Sequence, residues 1–138
     1  MNMLKRAALA AACALLCAAP AYSGPVTAPM QADASAAISM SSATTTELVA
    51  AVSGQQIYVT HYNVIAAGTG NFKLVYGTGS NCGTGTTDAT GNYNLTAQAG
   101  VAAGNGLGVL IVIPPGRALC ATNSAAVGMY GLVSYSQR

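Results

Sequence analysis

The sequence predicts an all-β protein, an antiparallel β-sandwich or jelly roll with one disulfide. Three observations carry that expectation. From Thr44 onward, short runs rich in Val, Ile, Thr and Tyr alternate with clusters of Gly, Asn and Pro, the texture of strands and turns. In "FKLVY", Phe72, Leu74 and Tyr76 share one side while Lys73 takes the other, the period of two of a half-buried strand. In "GTGSNCGTGTTDATGNY", Cys82 sits among residues that build no core, so its thiol either reacts with something or is tied down elsewhere in the chain.

The first residues set the compartment and therefore the chemistry of that cysteine. "MNMLKRAALAAACALLCAAPAYSG" has a basic start at Lys5 and Arg6, an uncharged apolar run over residues 7–19, and small residues at Ala19, Ala21 and Ser23. This is the pattern of a secretory signal peptide, residues 1–23, and the run is too short to span a bilayer comfortably. Export to the periplasm, the cell surface or the extracellular space is expected, with no membrane span after cleavage. Cys13 and Cys17 leave with the signal, and Cys82 and Cys120 remain as an even pair in an oxidising compartment, which predicts their disulfide.

Removal of the signal also resets the charge. The bases left are Lys73, Arg117 and Arg138 and the acids Asp33, Glu47 and Asp88, so the mature chain is neutral. Such a chain has no electrostatic footprint for nucleic acid or anionic lipid. It also lacks the self-repulsion that keeps small proteins apart, which favours association with copies of itself or with a cell-surface or virion component.

Residues 24–42, "GPVTAPMQADASAAISMSS", read as a flexible leader in which only Ile38 and Met40 alternate as a strand would. The domain proper spans residues 43–138. Its strand-like runs are residues 45–52, 57–66, 72–76, 93–97, 107–113, 118–122 and 127–135, which suggests about seven or eight strands. "SGQQ" joins the first two runs and "AGTGN" the next two, each of hairpin length. "PPGR" ends a strand, with Pro115 and Gly116 suited to the centre of a type II turn.

In "IYVTHYNVIA", Ile57 and Val59 share one phase while Tyr62 and Val64 share the other. One bulged residue near Thr60 and His61 would turn all four inward. "LGVLIVI" and "VGMYGLVSY" are apolar on both sides, so such strands lie between layers or present one side to another chain. Leu107, Val109, Ile111 and Val133 are expected in the core.

Catalytic chemistry finds little support. Acid–base work needs a titratable pair held together, but Asp33, Glu47 and Asp88 are scattered over leader, strand and loop. A nucleophile needs a neighbouring base, and the single histidine, His61, lies mid-strand and reads as a surface or bulge residue. The glycine-rich pieces lack the helix and lysine of a phosphate cradle, and Asp88 alone is a poor calcium ligand set. No cofactor and no metal site is expected. Seven tyrosines leave a carbohydrate-binding alternative, with Tyr58, Tyr93 and Tyr130 as candidate ligand contacts, since exposed rings stack on sugar faces.

The segments "SSATTTELVAAVSGQQIYVTHYNVIAAGTGNFKLVYGTG", "NLTAQAGVAAGNGLGVLIVIPPGRALC" and "SAAVGMYGLVSYSQ" together resemble a group of small phage and prophage β-sandwich modules of unknown function. The resemblance spans residues 41–137 and implies a structural part of a virion surface. The signal peptide and the cysteine pair depart from that group and point to export. Fimbrial subunits of the chaperone–usher type are similar in their signal peptide, single disulfide and apolar final strand. Their first cysteine usually lies near the mature N-terminus, whereas Cys82 lies deep in this chain. The sequence therefore leads to an exported, non-catalytic structural or adhesive module working through surface contacts.

Overall fold

The computed structural model describes residues 30–105 and 107–138. The expected signal peptide and residues 24–29 of the leader lie outside these. Ten strands follow in chain order: β1 (Ala34–Met40), β2 (Thr44–Val49), β3 (Ile57–Ala66), β4 (Gly70–Thr78), β5 (Thr84–Asp88), β6 (Tyr93–Leu95), β7 (Gly100–Gly104), β8 (Ile111–Ile113), β9 (Ala118–Asn123) and β10 (Met129–Gln137). They form two five-stranded antiparallel sheets around one core. Sheet I runs β1-β10-β3-β7, and β8 continues the β7 margin along β3. Sheet II runs β2-β9-β4-β5, with β6 continuing the β5 margin along β4. The sandwich expected from the sequence is the fold, with more strands than the runs suggested.

Alternation explains why these segments sit as they do. In β4, Phe72 and Leu74 are fully buried between the sheets while Lys73 points out. Burying each such side chain contributes about 1.5–3 kcal/mol. In β3, Ile57, Val59, Tyr62 and Val64 are all buried, in spite of their mismatched phase. Ser134 pairs with His61 and Tyr135 with Val59, so Thr60 is the extra residue of a bulge that rotates the second half of the strand inward. The turn at Pro114–Arg117 also forms as its residues dictate. Arg117 N–H donates to the Pro114 carbonyl at 3.3 Å, and Gly116 takes φ 70°, the left-handed position of a type II turn.

Four expectations need correction. The leader gives way to structure at Ala34: β1 pairs with β10 along its whole length, and Ile38 and Met40 are buried. Their two side chains are enough to anchor a strand whose other residues are small. Secondly, β5 and β7, in which only Asp88 and Val101 are not Thr, Ala or Gly, carry too little hydrophobic alternation to be read as strands; the backbone ladder holds them. Thirdly, the links after β2 and β3 are not hairpins, because in each case the next strand lies in the other sheet. Sheets pack about 10 Å apart, a gap a few residues span, so length alone does not separate a hairpin from a crossing.

Lastly, Leu107 and Val109 are exposed, at 57% and 42%, and Ile111 is only half-buried, whereas Val133 is buried as expected. The cause is the bulge in β3. Strand β7 pairs with His61–Ile65 and β8 with Ile57–Val59, so the margin strand breaks opposite Thr60, and residues 107–110 belong to neither strand.

Cys82 and Cys120 are bonded, with Cα atoms 6.3 Å apart. The bond lies on the outward side of sheet II. There the 3-10 turn Ser80–Cys82 folds back over β4 and β9, and Val75, Cys82, Ala118 and Cys120 form a small second core. Asn81 and Cys82 both adopt left-handed backbone, at φ 51° and 59°. Asn81 Oδ1 accepts the Glu47 N–H at 3.1 Å, tying the turn to β2. The glycine-rich stretch is thereby fixed to the sheet beneath it.

Candidate functional site

Inside the sandwich the polar groups are committed to one another. Among the described residues every buried side-chain nitrogen or oxygen has a hydrogen-bond partner. Among the same residues no three of His, Cys, Asp and Glu gather into a potential metal-ligand set. Tyr62 of sheet I and Tyr93 of sheet II share a hydrogen bond of 2.6 Å between hydroxyls, with ring centroids 6.4 Å apart and planes tilted by 51°. Burial, and then the Tyr93 hydroxyl, push the Tyr62 phenol well above its ordinary value. His61 lies at the bulge, its Nδ1 2.9 Å from the Gly104 carbonyl oxygen. What remains for contact with another molecule is surface.

One surface differs from the rest. On the outward side of sheet I, cross-strand pairing sets Ser39, Tyr130, Ile65 and Gly100 in one row and Ala37, Leu132, Asn63 and Ala102 in the next. Tyr130, Ile65 and Leu132 are 52%, 56% and 38% exposed. No residue of these two rows is charged. Asn63 is partly engaged already, since its Oδ1 accepts the Leu132 N–H at 3.0 Å.

Further along the same face, Val112 is exposed opposite Tyr58, whose hydroxyl donates to Gln56 Oε1 at 2.5 Å. The face ends in a polar clasp. Ser136 Oγ donates to Asp33 Oδ2 at 3.0 Å, and Arg138 Nε donates to Ser136 Oγ at 2.8 Å.

The three tyrosines read from the sequence do not form one platform. Tyr93 turns inward and is half-buried against Tyr62. Tyr58 and Tyr130 share the outward face of sheet I but stand near opposite ends of β3, roughly 20 Å apart at 3.3 Å per residue. Tyr130 alone is more than half exposed, and its neighbours Ile65 and Leu132 were not singled out by the sequence. Their signal was present all the same: "VGMYGLVSY" is apolar on both sides, and a two-layered fold can bury only one of them.

Charge is distributed to match. Lys73 and Asp88 pair at 2.7 Å on sheet II, Glu47 lies on β2, and Arg117 reaches the Gly85 carbonyl beside β5. The remaining pair, Arg138 and Asp33, is 3.8 Å apart at the clasp. Compared with family models, with curated proteins and with solved structures, the chain matches none.

Proposed function

We propose that this is an exported, non-catalytic structural or adhesive module, and that the outward face of sheet I is its contact surface. The observation that carries the reading is the juxtaposition of Tyr130, Ile65 and Leu132 on uncharged rows, opposite a sheet that holds most of the charge. Exposed apolar side chains collected on one face gain most from a partner that removes them from water. The resemblance to phage and prophage modules agrees with such a role, and the disulfide agrees with an oxidising compartment.

The test is surface plasmon resonance of the oxidised mature chain over three layers: apolar, glycan-coated and carrying the protein itself. Retention on the apolar layer or on the protein is expected, weakened on the order of tenfold or more by Ile65→Lys with Leu132→Lys. Silence on all three layers overturns the proposal. A glycan signal abolished by Tyr130→Ala but kept by the lysine variant would instead establish the carbohydrate-binding alternative.

A further inference from the structure

Strands at sheet margins expose unpaired backbone N–H and C=O groups, and most proteins blunt them. Three of the four margins here are blunted. Strand β2 has a register shift between Glu47 and Val49, carries the Glu47 charge, and has the Glu47 N–H taken by Asn81. The β5 and β6 margin is split and bears Asp88. The β7 and β8 margin is broken opposite Thr60, which pairs with neither strand. The β1 margin has none of these devices. It pairs with β10 in unshifted register from Ala34↔Tyr135 to Met40↔Met129, with no charge and no proline. Among the described residues no strand lies on its other side.

We propose that this edge pairs with the same edge of a second copy, two β1 strands running antiparallel about a twofold axis at Ala37. The two sheets I then join into one continuous sheet. This inference rests on the reading of the protein as a surface-contact module and names one of its contacts. Register is what singles out a second copy. About Ala37, Ser35 meets Ser39, Ala36 meets Ile38 and Ala34 meets Met40, so no charge meets its like across the axis. The neutral mature chain adds no long-range repulsion. Pairing at β1 also sets the Tyr130 and Leu132 rows of the two copies side by side, doubling the contact face.

The experiment is light scattering over a concentration series on the oxidised mature chain, with two double variants at exposed positions. Wild type should approach twice the subunit mass. Ser35→Lys with Ser39→Lys sets lysine against lysine twice and should weaken the dimer about tenfold or more, whereas Ser35→Lys with Ser39→Glu sets opposite charges together and should keep it. A wild type monomeric throughout, or a dimer that the two lysines leave unchanged, overturns the inference. Hydrogen exchange gives a readout independent of the variants: alternate β1 amides should gain protection as wild type is concentrated, and unchanged exchange also overturns it. The two proposals fail separately. A monomer that still adsorbs to the apolar layer leaves the surface reading intact without this edge, and a dimer that ignores the apolar layer and is untouched by Ile65→Lys with Leu132→Lys does the reverse.

Discussion

At the scale of residues, the Tyr62–Tyr93 pair makes the sharpest prediction. Their hydroxyls bridge the two sheets at 2.6 Å, so Tyr93→Phe should cost about 1 kcal/mol, the net worth of one such bond. The pair also predicts an alkaline signature. An unfolded tyrosine ionises near 10.0, whereas folded Tyr62 holds its proton to higher pH. Below that value both states keep the proton and this group leaves stability independent of pH. Above it the unfolded chain alone loses the proton, so stability falls by about 1.4 kcal/mol per pH unit until folded Tyr62 ionises too. Thermal melts from pH 8 to 11 should therefore show Tyr62→Phe destabilised at pH 8 and converging on wild type above 10. Parallel curves would mean the phenol titrates normally in the fold. A second residue prediction concerns Gly77. A Cβ there would lie 2.8 Å from the Cys82 carbonyl oxygen and 3.0 Å from that of Thr84, both backbone atoms held by the bridged turn. Gly77→Ala should cost about 1–3 kcal/mol in chemical denaturation. Gly91→Ala, which meets nothing within 4 Å, should stay within about 0.5 kcal/mol.

At the scale of elements, the cysteine-bearing turn is the piece whose stability is least local. Its two left-handed residues and exposed neighbours offer little of their own to hold it on sheet II. The Cys82–Cys120 link closes a separation of 38 residues, which in the chain-entropy model stabilises by about 4 kcal/mol. Cys82→Ser and Cys120→Ser should each lose about that amount, and the double variant no more. Additive losses in thermal melts would mean that each sulfur acts alone.

The same scale shows what the residues disclosed beforehand. The bulge at Thr60 was readable because four large side chains change phase there, and a core cannot bury both phases without one. The turn at Pro114–Arg117 was readable because two adjacent residues fix its dihedrals. Strands β5 and β7 were not, since β5 is exposed along its whole length and β7 sets only Val101 and the small Ala103 against the core, too little for alternation to stand out. Leu107 and Val109 misled because their periodicity is that of a strand while their backbone has no continuous ladder beyond the bulge. The contact face was half legible: two-sided apolarity marked β10, but which side stayed outside depended on the register with β3.

At the scale of the whole molecule, the arrangement of charge decides which forces association uses. Lys73, Asp88, Glu47 and Arg117 belong to sheet II or its connections, Asp33 and Arg138 to the clasp, and none to the two rows of sheet I or to β1. Contacts made through that face and edge are therefore apolar burial and backbone hydrogen bonds, with no ion pair to screen. Sodium chloride between about 50 and 500 mM shortens the Debye length from roughly 14 to 4 Å and should change self-association by no more than about twofold. Sodium sulfate acts differently: excluded from protein surface, it strengthens burial, so the same association should tighten as sulfate is added. Sedimentation equilibrium in the two salts separates the cases. A dissociation constant that climbs steeply with chloride would place the contact on the charged sheet II side, and a contact face on sheet I could not then be the one that brings copies together.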